Sequence, residues 1–464
     1  MNESRETDGG EDAGPTHVVT ACLRNRGEVL LLRRSDAVGT YRGQWGGVSG
    51  FAEGDPDEQV RVEIREETGL ADERVSLVRS GRPITFADDD LEREWTVHPY
   101  LFDVANREVD PSEEHDALEW VQPTAILAAE REAWDDHADC HEDWLERETV
   151  PELWPAYERV APTVRSIAAD DEHGAATLSV RALEVLRDRA GLLVAEREEF
   201  GVDPEGERAE LAELAERLLE ARPSMAVLRN RVNRAMSGAF DDAAAERDAG
   251  GAPAVLESAV AGIERAVDAD AEAAANAGER IEGRVLTLSR SGTVREALAR
   301  GDPSRVFVAE SRPACEGTTV AEELADDVVD CPVTLHTDAA VAHVLEREDV
   351  DRVVVGADTV LPDGAVVNKT GTRAAAIAAA REGIPVTVVA ASDKVSTREE
   401  VNLESGARDA VYDGDAVDVL NPTFDVTPAD CVTAIVTERG PLEPDGVADV
   451  AAELRDLEGW RDEE

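Results

Sequence analysis

VVVGADTVLPDGAVVNKTGT, residues 353–372, decides the reading of the larger part of this chain. A short valine run ends on a glycine and then Asp358, as a buried strand does where it leaves a sheet. RAAAIAAAREG (373–383) follows as a helix closed by glycine, and PVTVVAA (385–391) as another apolar strand. The same rhythm runs upstream. RVLTL (284–288) precedes SGTVREALA, RVFVAE (305–310) precedes TTVAEELADD, and PVTLHT (332–337) precedes AAVAHVLE. Short β-rich runs alternating with helical ones predict a parallel sheet wound with helices. Ligands of such sheets bind beyond the carboxyl ends of the strands. SRSG, SRP, TDAA, GADT and SDK each follow a predicted strand, so they should share one rim.

The same stretch holds a chemical signal. Lysine occurs only at positions 369 and 394, and both lie at the ends of apolar strands, while the remaining basic residues are arginine. Lysine is absent from every ordinary surface position. Two survivors on one predicted rim point to sites that need a compact, flexible ammonium, the usual target of which is a phosphate or carboxylate.

The missing lysines belong to an extreme composition. There are 102 acidic residues against 47 basic ones, for a net charge of −55. Self-repulsion of that size opposes a compact state in dilute salt. In molar salt the Debye length falls to roughly 3 Å and the repulsion is screened. The composition is that of a salt-adapted, halophilic protein. It excludes non-specific binding to nucleic acid or to anionic membranes. No apolar run approaches a membrane span. The acidic N-terminus, MNESRETDGGEDAGPT, has neither signal- nor transit-peptide character and reads as a disordered tail. Cysteines 22, 140, 315, 331 and 431 show no CxxC spacing, which fits a reducing cytoplasm without structural zinc.

From residue 156 to about 280 the pattern is helical, with apolar residues three and four apart in RALEVLRDRAGLLVAERE and SMAVLRNRVNRAM. The first segment is different. VVTACL and EVLLLRR are strands joined by a turn at Asn25, Arg26 and Gly27. A loop rich in Gly and Trp, TYRGQWGGVSGFAEGD, leads to a helix from Pro56 to Thr68 closed by Gly69. VSLVRSG and EWTVHPYLFDV are further strands, and EWVQPTAI ends the segment. Glu63, Glu66 and Glu67 share one face of the helix. Three adjacent carboxylates repel one another unless a cation neutralises them, and all-oxygen ligation suits Mg²⁺ or Mn²⁺. In so acidic a chain the spacing alone fits a solvated acidic face equally well.

The stretch from Gly46 to Leu70 resembles the Nudix box. Glu63-Ile-Arg-Glu-Glu-Thr-Gly-Leu70 matches its second half, and Gly47, Glu53 and Arg61 match the first half with one residue too many. The extra residue is expected in the loop, because inside the helix it would rotate the face by about 100°. The box arginine is then lost to Val62. The resemblance implies a Nudix α/β/α sandwich over 16–130 and hydrolysis of a nucleoside diphosphate derivative. It makes Glu66 and Glu67 the main metal ligands, with Glu63 assisting and the Gly47 carbonyl completing the shell.

Residues 156–464 resemble the family that joins ribose-1,5-bisphosphate isomerase, methylthioribose-1-phosphate isomerase and the regulatory subunits of translation initiation factor 2B. The matching pieces include HGAATLSVRAL, ARPSMAVLRNRVNR, VLTLSRSGTV, VFVAESRPACEG, GADTVLPDGAVVNKTGT and VVAASDK. The resemblance implies a helical part (156–280) and a Rossmann-like part (281–464), after a linker at 131–155. It also implies assembly into homo-oligomers. Asp358 matches the isomerases' catalytic aspartate, but Ser289 stands where they carry cysteine. Asn368, Lys369 and Lys394 match their substrate contacts, with Arg222, Ser291, Arg312 and Gly174 as further candidates; His173 stands where they carry arginine. A serine hydroxyl needs a neighbouring base, so isomerase chemistry is not expected. The sequence therefore reads as a cytoplasmic fusion of a Mg²⁺-dependent Nudix hydrolase with a domain that binds a sugar phosphate or nucleotide. The alternatives are an active sugar-phosphate isomerase and a regulator with both sites inactive.

Overall fold

The computed structural model describes residues 14–130, 147–170, 172–240 and 251–461. The N-terminal tail through residue 13, most of the expected linker and Cys140 lie outside them. The chain divides into two compact units. The first comprises Met1–Pro162 with Asp188–Val202, the second Thr163–Arg187 with Asp203–Glu464.

The first unit is built on an eight-stranded sheet. Its main path runs β3 (Trp45–Gly46), β2 (Glu28–Arg34), β1 (Thr16–Asn25), β7 (Arg93–Val104) and β5 (Val75–Ser80). β1 and β2 are antiparallel with Asn25 opposite Glu28. The two-residue turn between them has Arg26 at φ 54° and Gly27 at φ 79°. Two positive φ values match the right-handed twist of a tight hairpin. β4 (Val48–Phe51) falls in the stretch expected to be loop, and β6 (Ile84–Asp88) lies between two of the expected strands. β8 (His115–Val121) pairs with β2.

Helix α1 (Pro56–Thr68) has the expected bounds. The Asp55 side chain accepts from the Asp57 amide at 3.0 Å, and Pro56 opens the first turn. Gly69, at φ 69°, closes the helix. Val60 and Ile64 pack it on Val19, Leu23 and Val48 of the sheet. The helix is uninterrupted, so the extra residue of the box precedes it. Val62 occupies the arginine position, and Arg61 lies over the Phe102 ring at 5.5 Å.

After α2 (Thr124–Glu130), α3 (Leu153–Glu158), α4 (Val164–Ala169) and α5 (Ala175–Phe200), helices α6 (Pro204–Ala221), α7 (Ala226–Phe240) and α8 (Ala252–Gly278) precede the seven-stranded sheet of the second unit. Its order is β11 (Val333–His336), β10 (Asp302–Ala309), β9 (Glu282–Leu288), β12 (Arg352–Gly356), β15 (Val386–Val389), β17 (Ala434–Thr437) and β18 (Gly440–Leu442). All pairings are parallel except β17 with β18. Alternate residues feed two cores. Val285, Val306 and Val354 pack with Ala273 and Ala297 on one face, and Leu286, Phe307 and Val353 with Val344 and Ala375 on the other. Burial on both faces explains why these strands read as unbroken apolar runs.

Counting strands from β9, the order is that of a doubly wound sheet, reversing between β9 and β12. The expected rim follows, since parallel strands place their carboxyl ends on one edge. A feature absent from the sequence reading is a small antiparallel sheet of β13 (Thr359–Val360), β14 (Val366–Lys369) and β16 (Phe424–Thr427). It carries Asn368 and Lys369 at the end of its middle strand.

Candidate functional site

In the second unit the chemistry gathers where the sheet reverses. β9 ends at Leu288, so Ser289 is the first residue beyond it; β12 ends at Gly356, two residues before Asp358. Ser289, Ser311 and Cys315 all have left-handed backbone, at φ 61°, 59° and 56°. Non-glycine residues adopt this region at a cost, and such residues cluster at functional sites. The Ser289 amide donates to Ser311 Oγ at 2.7 Å. Its hydroxyl donates to Glu316 Oε2 at 2.8 Å. Lys369 Nζ donates to Glu316 Oε1 at 3.1 Å.

Glu316 was not singled out in the sequence, and it gives the Ser289 hydroxyl a carboxylate partner. It is the first residue of helix α10 (Glu316–Glu323), which lies against β10. A Cβ on Gly317 would overlap the Ala309 carbonyl, so only glycine permits this approach. Cys315, the nearest thiol in the sequence, precedes that helix, with its sulfur 3.7 Å from the Pro313 carbonyl.

Asp358 is half-buried. Burial pushes its carboxyl above the usual range, Lys394 and Lys369 oppose the shift, and Glu316 and Glu404 add to it. Lys394 is 7% exposed, and its ammonium donates to the Ala357 carbonyl at 2.7 Å. Asn368 is buried and donates to Thr372 Oγ1 at 2.9 Å. The turn carrying Lys394 is fixed from below. Asp393 pairs with Arg231 at 3.3 Å and Arg234 at 2.9 Å, and Asn230 donates to the carbonyls of Asp393 and Val395.

The other candidates serve the scaffold to different degrees. Ser291 caps the helix α9 (Gly292–Arg300), accepting from the Val294 amide at 3.3 Å, and packs on Gly356. Arg222 donates Nε to the Ile167 carbonyl at 2.9 Å and another nitrogen to the Asp170 carbonyl, so it clamps a loop. His173 is drawn to Asp170 at 2.9 Å. Gly174 is exposed with open space where a Cβ would be. Arg312 projects an exposed side chain, while its amide donates to Asp338 at 2.7 Å. A cavity of about 250 Å³ opens beside Asp358, lined also by Met225, Arg229, Glu404 and Phe424. Ser224 Oγ donates to Glu404 at 2.6 Å.

In the first unit the three carboxylates of α1 meet different surroundings. Glu66 is exposed. Glu63 is half-buried, accepts from Gln59 at 2.7 Å and lies where a Cβ on Gly50 would be. Burial raises its pKa, with Glu66 and Glu114 adding to the shift. Glu67 is 3% exposed and accepts from the Ser49 amide at 3.2 Å. Burial pushes it up to about 8, with Glu63 and Glu114 adding to the shift. His115 Nε2 lies 3.7 Å from it. Burial first, and then Arg34, hold this imidazole down at about 4. Gly47 is buried with the position of a Cβ 2.7 Å from the Ala21 carbonyl. Among the described residues no three acidic, histidine or cysteine side chains converge to hold a metal ion. The trio therefore does not close as a preformed cage. The donor set still fits a hard cation in its chemistry, because the buried Glu67 carboxyl lies beside other carboxylates with only Arg34 opposing their charge. Glu114 and His115 were not foreseen; they lie in an acidic run that carries no distinguishing signal.

Residues 171–444 match the model of the Initiation factor 2 subunit family. The chain belongs to this family. Residues 15–143 match the NUDIX domain model, so a NUDIX domain precedes the family domain. Ribose 1,5-bisphosphate isomerase of Haloferax volcanii is 34% identical over 317 residues, which cover 64% of this chain and 94% of that protein. Methylthioribose-1-phosphate isomerase of Pseudomonas aeruginosa is 38% identical over 167 residues, 33% of this chain and 45% of that protein. The solved translation initiation factor eIF-2B of Pyrococcus horikoshii aligns with 61% of this chain and 95% of its own, at 27% identity and a TM-score of 0.49. Among the described residues no helix is long and apolar enough to cross a membrane.

Proposed function

We propose that the second unit binds a sugar phosphate where its sheet reverses, and that the first hydrolyses a nucleoside diphosphate derivative with Mg²⁺ or Mn²⁺. The observation that carries the first half is the buried Lys394 ammonium, held on the Ala357 carbonyl beside Asp358, with Lys369 also acting on that carboxyl. Two cations around one acid, in a chain otherwise without lysine, form a site built for an anionic, hydroxyl-bearing ligand. Ser291 and the amides opening α9 lie on the same rim, where a phosphate is favoured. Kinship with sugar-phosphate isomerases supports this class of ligand.

In the first unit Glu63, Glu66 and Glu67 would hold the cation, with the Gly47 carbonyl as a further ligand. Such an ion, when bound, orients a diphosphate and lowers the pKa of an attacking water. The chain's own part is to keep the Glu67 carboxyl in place through the Ser49 amide and to keep His115 neutral beside it. A homo-oligomer formed through the second unit, in salt-rich cytoplasm, completes the reading. Calorimetric titration of the full chain with ribose 1,5-bisphosphate in molar KCl tests the sugar-phosphate site. Saturable binding that weakens in Lys394→Met supports it, and no heat at millimolar ligand overturns it.

A further inference from the structure

We propose that Phe51, backed by Trp95 and flanked by Tyr41, is the seat of a purine base, so that the diphosphate taken by the first unit is that of a purine nucleoside. The inference rests on the hydrolase reading above and names the class of its substrate. Aromatic residues make up only 4% of this chain, yet four of them gather at one place on the first sheet. The Trp95 ring lies 6.3 Å from that of Phe51, with 27° between the planes, and 6.3 Å from that of Tyr41. Phe86 stands opposite Trp95 in the pairing of β6 with β7. Trp95 is buried, and the Arg93 guanidinium lies over its ring at 5.0 Å. Phe51, by contrast, is 52% exposed. A lone exposed phenyl ring is ordinary on a protein surface. This one is the open end of a stack whose other members are fixed.

Its place beside the carboxylates selects the occupant. Consecutive residues of β4 meet different parts of the first unit's site. The Ser49 amide donates to Glu67 at 3.2 Å, and Gly50 leaves the space that the Glu63 carboxylate fills. Phe51 follows about 3.4 Å further along the strand. A ligand whose diphosphate lies at the carboxylate helix therefore brings its nucleoside end within reach of this ring. The loop carrying Tyr41 is tied to the same strand. Arg34 donates Nε to the Thr40 carbonyl at 3.0 Å and another nitrogen to Ser49 Oγ at 3.2 Å. Tyr41 itself sits at φ 52°, a costly backbone region that clusters at functional sites. Its hydroxyl donates to Asp88 at 2.5 Å, which pins the ring. A flat base gains from stacking on such a face, whereas ribose and phosphate present no π-face to it. A purine covers more of the platform than a pyrimidine does.

The experiment is calorimetry of the full chain with Mg²⁺ in molar KCl, comparing ADP, UDP and ribose 5-diphosphate, which differ only in the base. ADP should bind wild type about tenfold or more tighter than ribose 5-diphosphate, as stacking on one aromatic ring allows, and tighter than UDP. Phe51→Ala should remove most of the ADP advantage while leaving ribose 5-diphosphate within about twofold of wild type; that ligand also reports whether the variant is folded. Phe51→Trp, which keeps a ring at the position, should retain the advantage. Equal affinity for ADP and ribose 5-diphosphate in the wild type overturns the base site and leaves the hydrolase reading standing. An ADP advantage that survives in Phe51→Ala also overturns it. UDP binding as tightly as ADP overturns the choice of a purine. Binding of none of the three overturns the diphosphate site and the base site together.

Discussion

Lys394 donates its ammonium to the carbonyl of Ala357, the residue before Asp358, at 2.7 Å. The bond locks the end of β15 to the end of β12, so a cation and an acid from neighbouring strands are fixed in one place. Two features hold the arrangement. Asp393, adjacent in sequence, is clamped by Arg231 and Arg234, and Asn230 takes both flanking carbonyls.

Lys369→Ala or Lys394→Ala should weaken sugar-phosphate binding by about 1.5–3 kcal/mol, the usual worth of a hydrogen bond to a charged group. Lys394 is buried, so most of its contribution should persist in molar salt; Lys369, half-exposed, should be more salt-sensitive. Calorimetry at two KCl concentrations separates them. Equal affinity for all three proteins would remove both lysines from the site.

The shared rim was legible because its strands are buried on both faces and read as plain apolar runs between helices. Helix α1 was legible to its last residue because Asp55, Pro56 and Gly69 mark its ends chemically. Lys369 and Lys394 stood out against a background without lysine. Glu316, Glu114 and Glu404 did not, because a glutamate carries no information among 102 acidic residues. Arg222 is a different case: its motif matches a ligand site, while two of its nitrogens donate to backbone carbonyls. The small β13–β14–β16 sheet was hidden because β16 pairs with a strand far earlier in the chain, and all three of its strands have four residues or fewer.

Asp393→Asn should destabilise the second unit by about 3–5 kcal/mol, the cost of breaking a buried ion pair by removing one partner. Burial alone would raise this carboxyl, but Arg231 and Arg234 outweigh it and hold its pKa below the usual range. The native state therefore binds this proton less tightly than the unfolded chain. Its stabilising contribution is full above the unfolded pKa, near 3.9, and is lost as pH falls through the lower native value. Denaturant melts between pH 3 and 7 should show the wild-type advantage shrinking toward the acid end. A constant difference across that range would assign the loss to packing rather than charge.

Glu66→Gln with Glu67→Gln should abolish Mg²⁺-dependent diphosphate hydrolysis and leave the fold intact. The two positions should differ in stability. Glu66 is exposed and its substitution should be near neutral. Glu67 is buried with its pKa pushed up to about 8, so the metal-free native state holds a proton that the unfolded chain releases near pH 4.3. Stability then falls as pH rises from there through about 8. His115, held down at about 4, works in the opposite sense, adding stability as pH rises to its unfolded value near 6.5. Between pH 6.5 and 8 only the Glu67 slope remains of this pair, at up to about 1.4 kcal/mol per pH unit. In chelator, wild type should lose stability across that window relative to Glu67→Gln, and Mg²⁺ should restore it to the wild type alone. Parallel melting curves for the two proteins, unchanged by Mg²⁺, would show that the buried carboxyl neither titrates there nor meets the cation; full hydrolysis by the double variant would remove the carboxylate helix from the catalysis.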